Sequence, residues 1–145
     1  MSGQVDGVLA VLAVLEAYRT AVAARDVDGL VGLYAEDVHR FDTWEEADHV
    51  GAAAWREAVG QWLGAHPDDV YEVGFDDVDA VAGDDMGFVR AVMTFRVLTD
   101  GVTTHEQVHR FTAVLAMRDG AWRTVHEHTS MPVAYAAEMA EFRGG

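Results

Sequence analysis

Two histidines separated by one residue, His126 and His128, stand near the end of the chain in a segment with a strand-like composition. Residues two apart on a β-strand point to the same face, about 6.6 Å apart along it. Both imidazoles would then reach one side of a sheet, where histidine can donate or accept a proton near neutral pH. The spacing also suits Zn or Fe, but a third ligand would have to come from elsewhere, with His39 or His109 as candidates.

A second pair, His105 and His109, is four residues apart. On a strand this spacing separates the side chains by about 13 Å, which is too far for one ion. Because the chain also lacks thiolates and an evident third histidine ligand for His126 and His128, we predict no metal site. A structural role for His126 and His128, with hydrogen bonds to the backbone or to each other, remains open beside the catalytic one.

The residue types that are missing exclude several kinds of chemistry. The chain has no Cys and no Lys, so it has no thiol nucleophile, no Schiff-base lysine and no thiolate metal site. Its only serines are Ser2 and Ser130, which disfavours a serine hydrolase. No phosphate loop or dinucleotide fingerprint is present, and no cofactor is predicted. His, Asp, Glu and Tyr remain, and these are the residues of proton transfer.

The charge of the chain disfavours polyanionic partners. The chain has twenty-five acidic residues and ten basic ones, all Arg, and its formal net charge is −15. Nucleic acids and anionic membrane surfaces both require basic patches, so neither is an expected partner. The absence of Lys, Ile and Asn, which have A/T-rich codons, indicates a high-GC bacterium, although a salt-adapted organism would give a similar composition. No signal peptide is visible and the apolar stretch over residues 8–14 is too short to span a bilayer, so a cytoplasmic location is expected.

The hydrophobic pattern predicts one α+β domain over residues 1–145. Apolar residues at three- and four-residue spacing predict helices over residues 5–24, 27–34 and 52–63, the second capped by Asp26. Strand patterns cover residues 37–44, 70–82, 86–98, 102–117 and 121–131. The pairs Asp100-Gly101 and Asp119-Gly120 are strong hairpin signals, because both turn residues need positive φ. The tail over residues 133–142 has helical spacing.

Two segments carry a family resemblance. Residues 26–37, DVDGLVGLYAED, resemble a stretch of the nuclear transport factor 2-like superfamily. Residues 118–130, RDGAWRTVHEHTS, are similar to its SnoaL-like, polyketide cyclase-like branch. The resemblance implies a cone-shaped α+β fold, in which three N-terminal helices pack on a strongly curved antiparallel sheet and enclose a deep pocket. It also implies a homodimer.

The ketosteroid isomerases of this superfamily suggest specific roles. They carry a tyrosine eight residues before the first Asp of the DVDG stretch, which is Tyr18 here, and a general-base aspartate on the first strand, in the place of Asp42. A second, protonated aspartate of those enzymes falls near Ala113, where this chain has no carboxyl group. By the resemblance, His126 and His128 face the pocket and replace it. Tyr18 as a core aromatic and Asp42 as a turn cap are the structural alternatives.

Residue type and strand phase suggest which residues bind the substrate. Trp44, Trp62 and Phe111 are expected to line the core or the pocket. His109 shares the strand phase of Phe111 and should face the pocket, unless a bulge brings Arg110 there instead.

Together these features predict a small cofactor-free enzyme that isomerises, cyclises or dehydrates a polycyclic or polyketide-like carbonyl compound. Asp42 would remove a proton beside the carbonyl, and Tyr18 with His126 or His128 would hydrogen-bond the enolate oxygen. The alternative is a non-catalytic ligand-binding or oligomerisation module, since the closing segment also resembles the association domain of calmodulin-dependent kinases.

Overall fold

The computed structural model describes residues 2–43 and 48–132. Trp44 and the predicted C-terminal helix lie outside the described residues. The elements in chain order are α1 (Ser2–Ala24), α2 (Val27–Val31), β1 (Tyr34–Phe41), β2 (His49–Val50), α3 (Ala52–Gly64), β3 (Val70–Ala82), β4 (Met86–Thr99), β5 (Val102–Arg118) and β6 (Ala121–Ser130).

The six strands form one sheet in the order β2-β1-β6-β5-β4-β3, and the helices pack on one face, called the inner face below. The predicted α+β arrangement is confirmed. The sheet is not wholly antiparallel, because β1 and β6 pair in parallel. These two strands are far apart in the chain, and the long connection between them allows the parallel pairing that a short hairpin cannot.

Helix α1 packs one face against the sheet. Its buried residues follow the predicted helical period: Val11, Leu15, Tyr18 and Val22. By length and composition alone, the segment Asp6–Ala24 of this helix could also cross a membrane. This segment is longer than the apolar stretch over residues 8–14 that was considered from the sequence. The core helix of a domain meets the same two criteria, and the buried face gives α1 that role here.

Helix α2 is shorter than predicted. Asp26 caps it as expected, with its carboxylate accepting a hydrogen bond from the Gly29 amide at 2.9 Å. The helix stops at Val31 because the chain then joins the sheet: the Thr124 amide donates to the Leu33 carbonyl, and β1 begins at Tyr34 rather than at residue 37.

Both Asp-Gly turns adopt the predicted geometry. Asp100 and Gly101 have φ values of 52° and 79°, and Asp119 and Gly120 have 53° and 81°. Positive φ at both central residues is the pattern of the tightest hairpin turn, so these pairs fix the β4–β5 and β5–β6 connections.

Arg25 links the end of α1 to the loop after α3. Its guanidinium lies 4.0 Å from the centre of the Tyr71 ring. It also donates hydrogen bonds of 2.6–3.0 Å to four backbone carbonyls, those of Leu63, Ala65, His66 and Asp69. One side chain therefore satisfies the carbonyls at a helix end and holds α3 in place above the sheet.

We expect Arg25→Ala to lower the free energy of unfolding by about 2 kcal/mol, because four carbonyls lose a charged donor and two of these hydrogen bonds are partly buried. Arg56→Ala is the matched control, since Arg56 makes an exposed ion pair with Asp28 at 2.5 Å. An exposed pair contributes below about 1 kcal/mol. Urea denaturation of both variants measures the difference, and equal losses would contradict the role given to Arg25.

Candidate functional site

A cavity of about 390 Å³ lies between α1, α3 and the inner face of the sheet. Its size is within the range of about 300–1,000 Å³ that is typical of small-molecule sites. The described residues that line it are Tyr18, Arg40, Asp42, Trp55, Ala58, Gln61, Trp62, Met93, Phe95, Gln107, His109 and Thr129. The walls are mainly aromatic and apolar, and the polar groups converge from β1, β5 and β6.

A buried ion pair forms the polar end of the cavity. Arg40 and Glu127, which are 2% and 1% exposed, face each other from β1 and β6. The Nε and Nη2 atoms of Arg40 each lie 2.6 Å from Glu127 Oε2, and the Tyr34 hydroxyl donates to Glu127 Oε1 at 2.5 Å. Arg40 Nη1 lies 3.4 Å from Asp42 Oδ2. Arg40 thus lies between two carboxylates: that of Glu127, which is fully buried, and that of Asp42, which is at the cavity wall.

The rest of the Arg40 guanidinium is also occupied. Nη1 donates to His49 Nδ1 at 2.9 Å, and the guanidinium carbon lies 3.4 Å from the centre of the Trp55 ring. Although burial disfavours its charge, Glu127 and the neighbouring phenols raise the pKa of Arg40 above its usual value. Arg40 is therefore a permanent cation, and His49 accepts from it through an unprotonated nitrogen.

Tyr18 lies at the cavity wall on α1. Its ring makes edge contacts with Phe75 and Phe111, at centroid distances of 5.6 and 6.3 Å. Burial, and then the negative charge of Glu127, raises the pKa of the Tyr18 phenol far above its ordinary value. The phenol stays protonated at any physiological pH, so it can donate a hydrogen bond and cannot act as a base.

His109 lies on β5 and is 4% exposed, while its neighbour Arg110 faces solvent. Its Nδ1 atom lies 3.4 Å from the Thr43 hydroxyl oxygen. Burial lowers the pKa of His109 from 6.5, and the charge of Asp42 partly opposes this. The imidazole is therefore mainly neutral near pH 7, and it can accept a proton.

The lowered pKa of His109 makes stability depend on pH. Below about pH 6.5 the unfolded chain takes up a proton on this residue that the folded chain does not bind, so stability falls as the pH drops through this value. When the pH is lowered from about 7.5 to about 5.5, the free energy of unfolding should therefore fall less in His109→Gln than in wild type. The control is His105→Gln, at an exposed position. A wild-type pH slope in His109→Gln would contradict the prediction.

Aromatic rings form the other end of the cavity. Trp62 lines it from α3 and packs edge-on against Phe95, with ring centroids 5.5 Å apart. Phe111 does not line the cavity; it lies beneath it, in the core with Tyr18 and Phe75. The sequence left open whether Phe111 belongs to core or pocket, and the structure places it in the core.

His126 and His128 lie on the outer face of the sheet. Their rings contact the Phe41 ring at centroid distances of 5.1 and 5.3 Å, and Phe41 is 40% exposed. His126 Nδ1 lies 2.7 Å from the His39 carbonyl oxygen on the neighbouring strand. The prediction that both imidazoles face the pocket is therefore wrong. The structural alternative, a hydrogen bond to the backbone, describes His126.

A β-bulge at Val125 causes this reversal. Before the bulge, Trp122 packs against the core and Thr124 is buried, so these two residues face inward. Leu115 of β5 pairs with Thr124, and the adjacent Val114 pairs with His126. Val125 lies between these two partners and is therefore an extra residue in β6. An extra residue inverts the alternation of faces. Glu127 therefore points inward, between two histidines that point outward.

Arg40 and Glu127 were not among the site residues predicted from the sequence. Arg40 stands two residues before Asp42 in the strand predicted over residues 37–44, and this spacing was a signal that both side chains reach one face. Nothing within β6 itself marks Glu127, because its direction depends on the bulge. Among residues 2–43 and 48–132, no three His, Asp or Glu side chains are placed to hold a metal ion.

Chemically, the site offers three different groups on one apolar cavity. Asp42 contributes a carboxylate, with its side chain 15% exposed. His109 contributes a neutral imidazole and Tyr18 a protonated phenol. A carboxylate or imidazole base beside a fixed hydrogen-bond donor can remove a proton from the carbon next to a carbonyl group while the donor polarises that carbonyl.

Solved structures show the same fold in proteins of low sequence identity. A nuclear transport factor 2-like protein with a cystatin-like fold from Novosphingobium aromaticivorans has a TM-score of 0.78 and 18% identity, and the match covers 94% of this chain and 88% of that one. A candidate scytalone dehydratase from the same organism has a TM-score of 0.71 and 12% identity, with 86% and 83% covered. A candidate calcium/calmodulin dependent protein kinase II association domain from Xanthomonas campestris has a TM-score of 0.71 and 24% identity, with 84% and 86% covered.

The comparison with curated proteins gave no match. The family comparison did: the SnoaL-like domain matches residues 11–134, which is most of the chain and includes every described residue at the cavity. The fold of the solved structures and the helix-covered cavity agree with that match. The chain therefore belongs to the SnoaL-like domain family.

Proposed function

We propose that the chain is a small enzyme that isomerises, cyclises or dehydrates an uncharged cyclic carbonyl compound by acid–base chemistry. The observation that supports this most is the placement of Asp42, His109 and Tyr18 on one cavity that is also lined by the rings of Trp55, Trp62 and Phe95. In such a site a base is close to its carbon acid and water is largely excluded, so the hydrogen bonds to developing charge are strong.

In the proposed reaction, the Asp42 carboxylate removes a proton from the carbon beside the carbonyl group. The Tyr18 hydroxyl, which is held protonated, donates a hydrogen bond to the enolate oxygen. His109 is a second neutral donor or acceptor at the same wall. Returning the proton to another carbon gives isomerisation, attack of the enolate on a second carbonyl gives cyclisation, and loss of a neighbouring hydroxyl gives dehydration.

Hydrogen–deuterium exchange tests this step without knowledge of the natural substrate. We expect the wild-type protein in D₂O to accelerate the loss of α-hydrogens from bicyclic ketones such as α-tetralone, followed by proton NMR. Acetone, which leaves most of the cavity empty, serves as the control substrate. A protein that accelerates exchange of no bicyclic ketone above the buffer rate is not an enolising enzyme.

The second candidate function is a ligand-binding or association module, as the named function of the Xanthomonas campestris neighbour suggests. The exposed rings and aliphatic side chains of the outer sheet face support an assembly role, among them Phe41, Phe88 and Val108. Homodimerisation through this face is compatible with either function. Light scattering at micromolar concentration measures the assembly, and the exchange assay separates the two functions.

A further inference from the structure

The cavity contains a cation that is not available to a ligand. All three nitrogen atoms of Arg40 already have partners: Glu127 faces Nε and Nη2, while His49 and Asp42 face Nη1. The Trp55 ring covers one face of the guanidinium at 3.4 Å. A ligand carboxylate could therefore form two hydrogen bonds to Arg40 only by displacing one of these groups.

The charges around the cavity also oppose an anion. Two carboxylates, Asp42 and Glu127, surround one guanidinium. The lowered pKa of His109 keeps this imidazole mainly neutral near pH 7. His49 already accepts a hydrogen bond from Arg40 through Nδ1. Among the described residues that line the cavity, Arg40 is the only Lys or Arg. A ligand carboxylate would therefore enter beside Asp42 without a free cation to pair with.

We infer that Glu127 determines the charge selectivity of the cavity: by occupying Arg40, it makes the site accept uncharged ring compounds and reject carboxylates of the same shape. The inference rests on the proposed function only in taking this cavity as the substrate site. It applies equally if the protein binds a ligand without turnover. Without the negative charge of Glu127, the Arg40 guanidinium would lack its main counter-charge and would attract a ligand carboxylate at the cavity wall.

Two probes of nearly equal shape test this selectivity, β-naphthamide and β-naphthoate, which differ by one charge. We expect wild type to bind the amide about tenfold more tightly than the carboxylate, or more, at about pH 7.5, measured by isothermal titration calorimetry. In Glu127→Gln the preference should shrink to within about threefold or reverse, mainly through tighter binding of the carboxylate.

Glu106→Gln is the matched control. Glu106 pairs with Arg96 at 2.7 Å, but both side chains are about half exposed, and neither residue lines the cavity. Both substitutions remove one negative charge, so they change the long-range repulsion of anions by the chain equally. The Glu106 variant should keep the wild-type preference.

Asp42→Asn provides a second variant in case Glu127→Gln does not fold. It removes the other carboxylate from the cavity wall and should also narrow the preference for the amide. The inference is wrong if wild type binds the carboxylate as tightly as the amide, if it binds neither probe, or if Glu127→Gln matches Glu106→Gln. Because these are binding measurements, intact selectivity without α-hydrogen exchange would reject the enzyme proposal alone.

Discussion

Replacing Asp42 with Asn should slow the exchange of ketone α-hydrogens by two to four orders of magnitude, the range of about 10²–10⁴ that is typical of losing a general base. The substitution keeps the shape of the side chain and removes its ability to take a proton. Proton NMR in D₂O measures the rate. The thermal midpoint, recorded on the same samples, separates this effect from unfolding, because an Asp42 that only capped a turn would lower stability and leave the rate unchanged.

Two companion variants sharpen this prediction. Tyr18→Phe removes one hydroxyl and keeps the ring contacts with Phe75 and Phe111, so it should lower the exchange rate with little effect on stability. Asp48→Asn is the control, since Asp48 is exposed and pairs with His39 at 2.8 Å. It should retain the wild-type rate. Near wild-type exchange in both Asp42→Asn and Tyr18→Phe would make these residues part of the scaffold.

Replacing Glu127 with Gln should lower the free energy of unfolding by about 3 kcal/mol, because it leaves the buried Arg40 without its main counter-charge. Asp42, at 3.4 Å, compensates only in part. Native domains have about 5–15 kcal/mol of stability, so the variant should remain folded in buffer. Urea denaturation measures the loss.

The exposed Glu106→Gln control should lose less than about 1 kcal/mol. A rescue variant tests the cause directly. Replacing the three most buried members of the network with apolar residues of similar size, as Tyr34→Phe with Arg40→Met and Glu127→Leu, should recover most of the loss, since neither the buried guanidinium nor the buried glutamate is then left without its partner. If Glu127→Gln is as stable as wild type, the ion pair contributes nothing to the fold.

The elements of the fold were predictable because their signals are local. The periodic apolar residues of α1, the Asp26 cap and the two Asp-Gly turns each specify their own segment. The parallel pairing of β1 with β6 was not predictable in the same way, because it depends on how distant segments meet. The family resemblance indicated the cone but not this strand direction.

The site was predictable where the strand is regular and not where it is irregular. His109 lies on a part of β5 that pairs without interruption, and its phase with Phe111 correctly indicated the inner face. The same argument failed for His126 and His128, because one unpaired residue in β6 lies between them and Trp122. A bulge is a property of two paired strands, so counting along β6 could not detect it.

The bulge at Val125 also suggests how evolution could change the side chains that point into the interior of this fold. Deleting that one codon would exchange the two faces of the last part of β6: both imidazoles would enter the cavity and the carboxylate of Glu127 would leave it. No side chain would change its identity. Among proteins that share this sheet, inserting or deleting a single residue can therefore replace a carboxylate in the interior with imidazoles. Substitutions would need several separate changes to reach the same result.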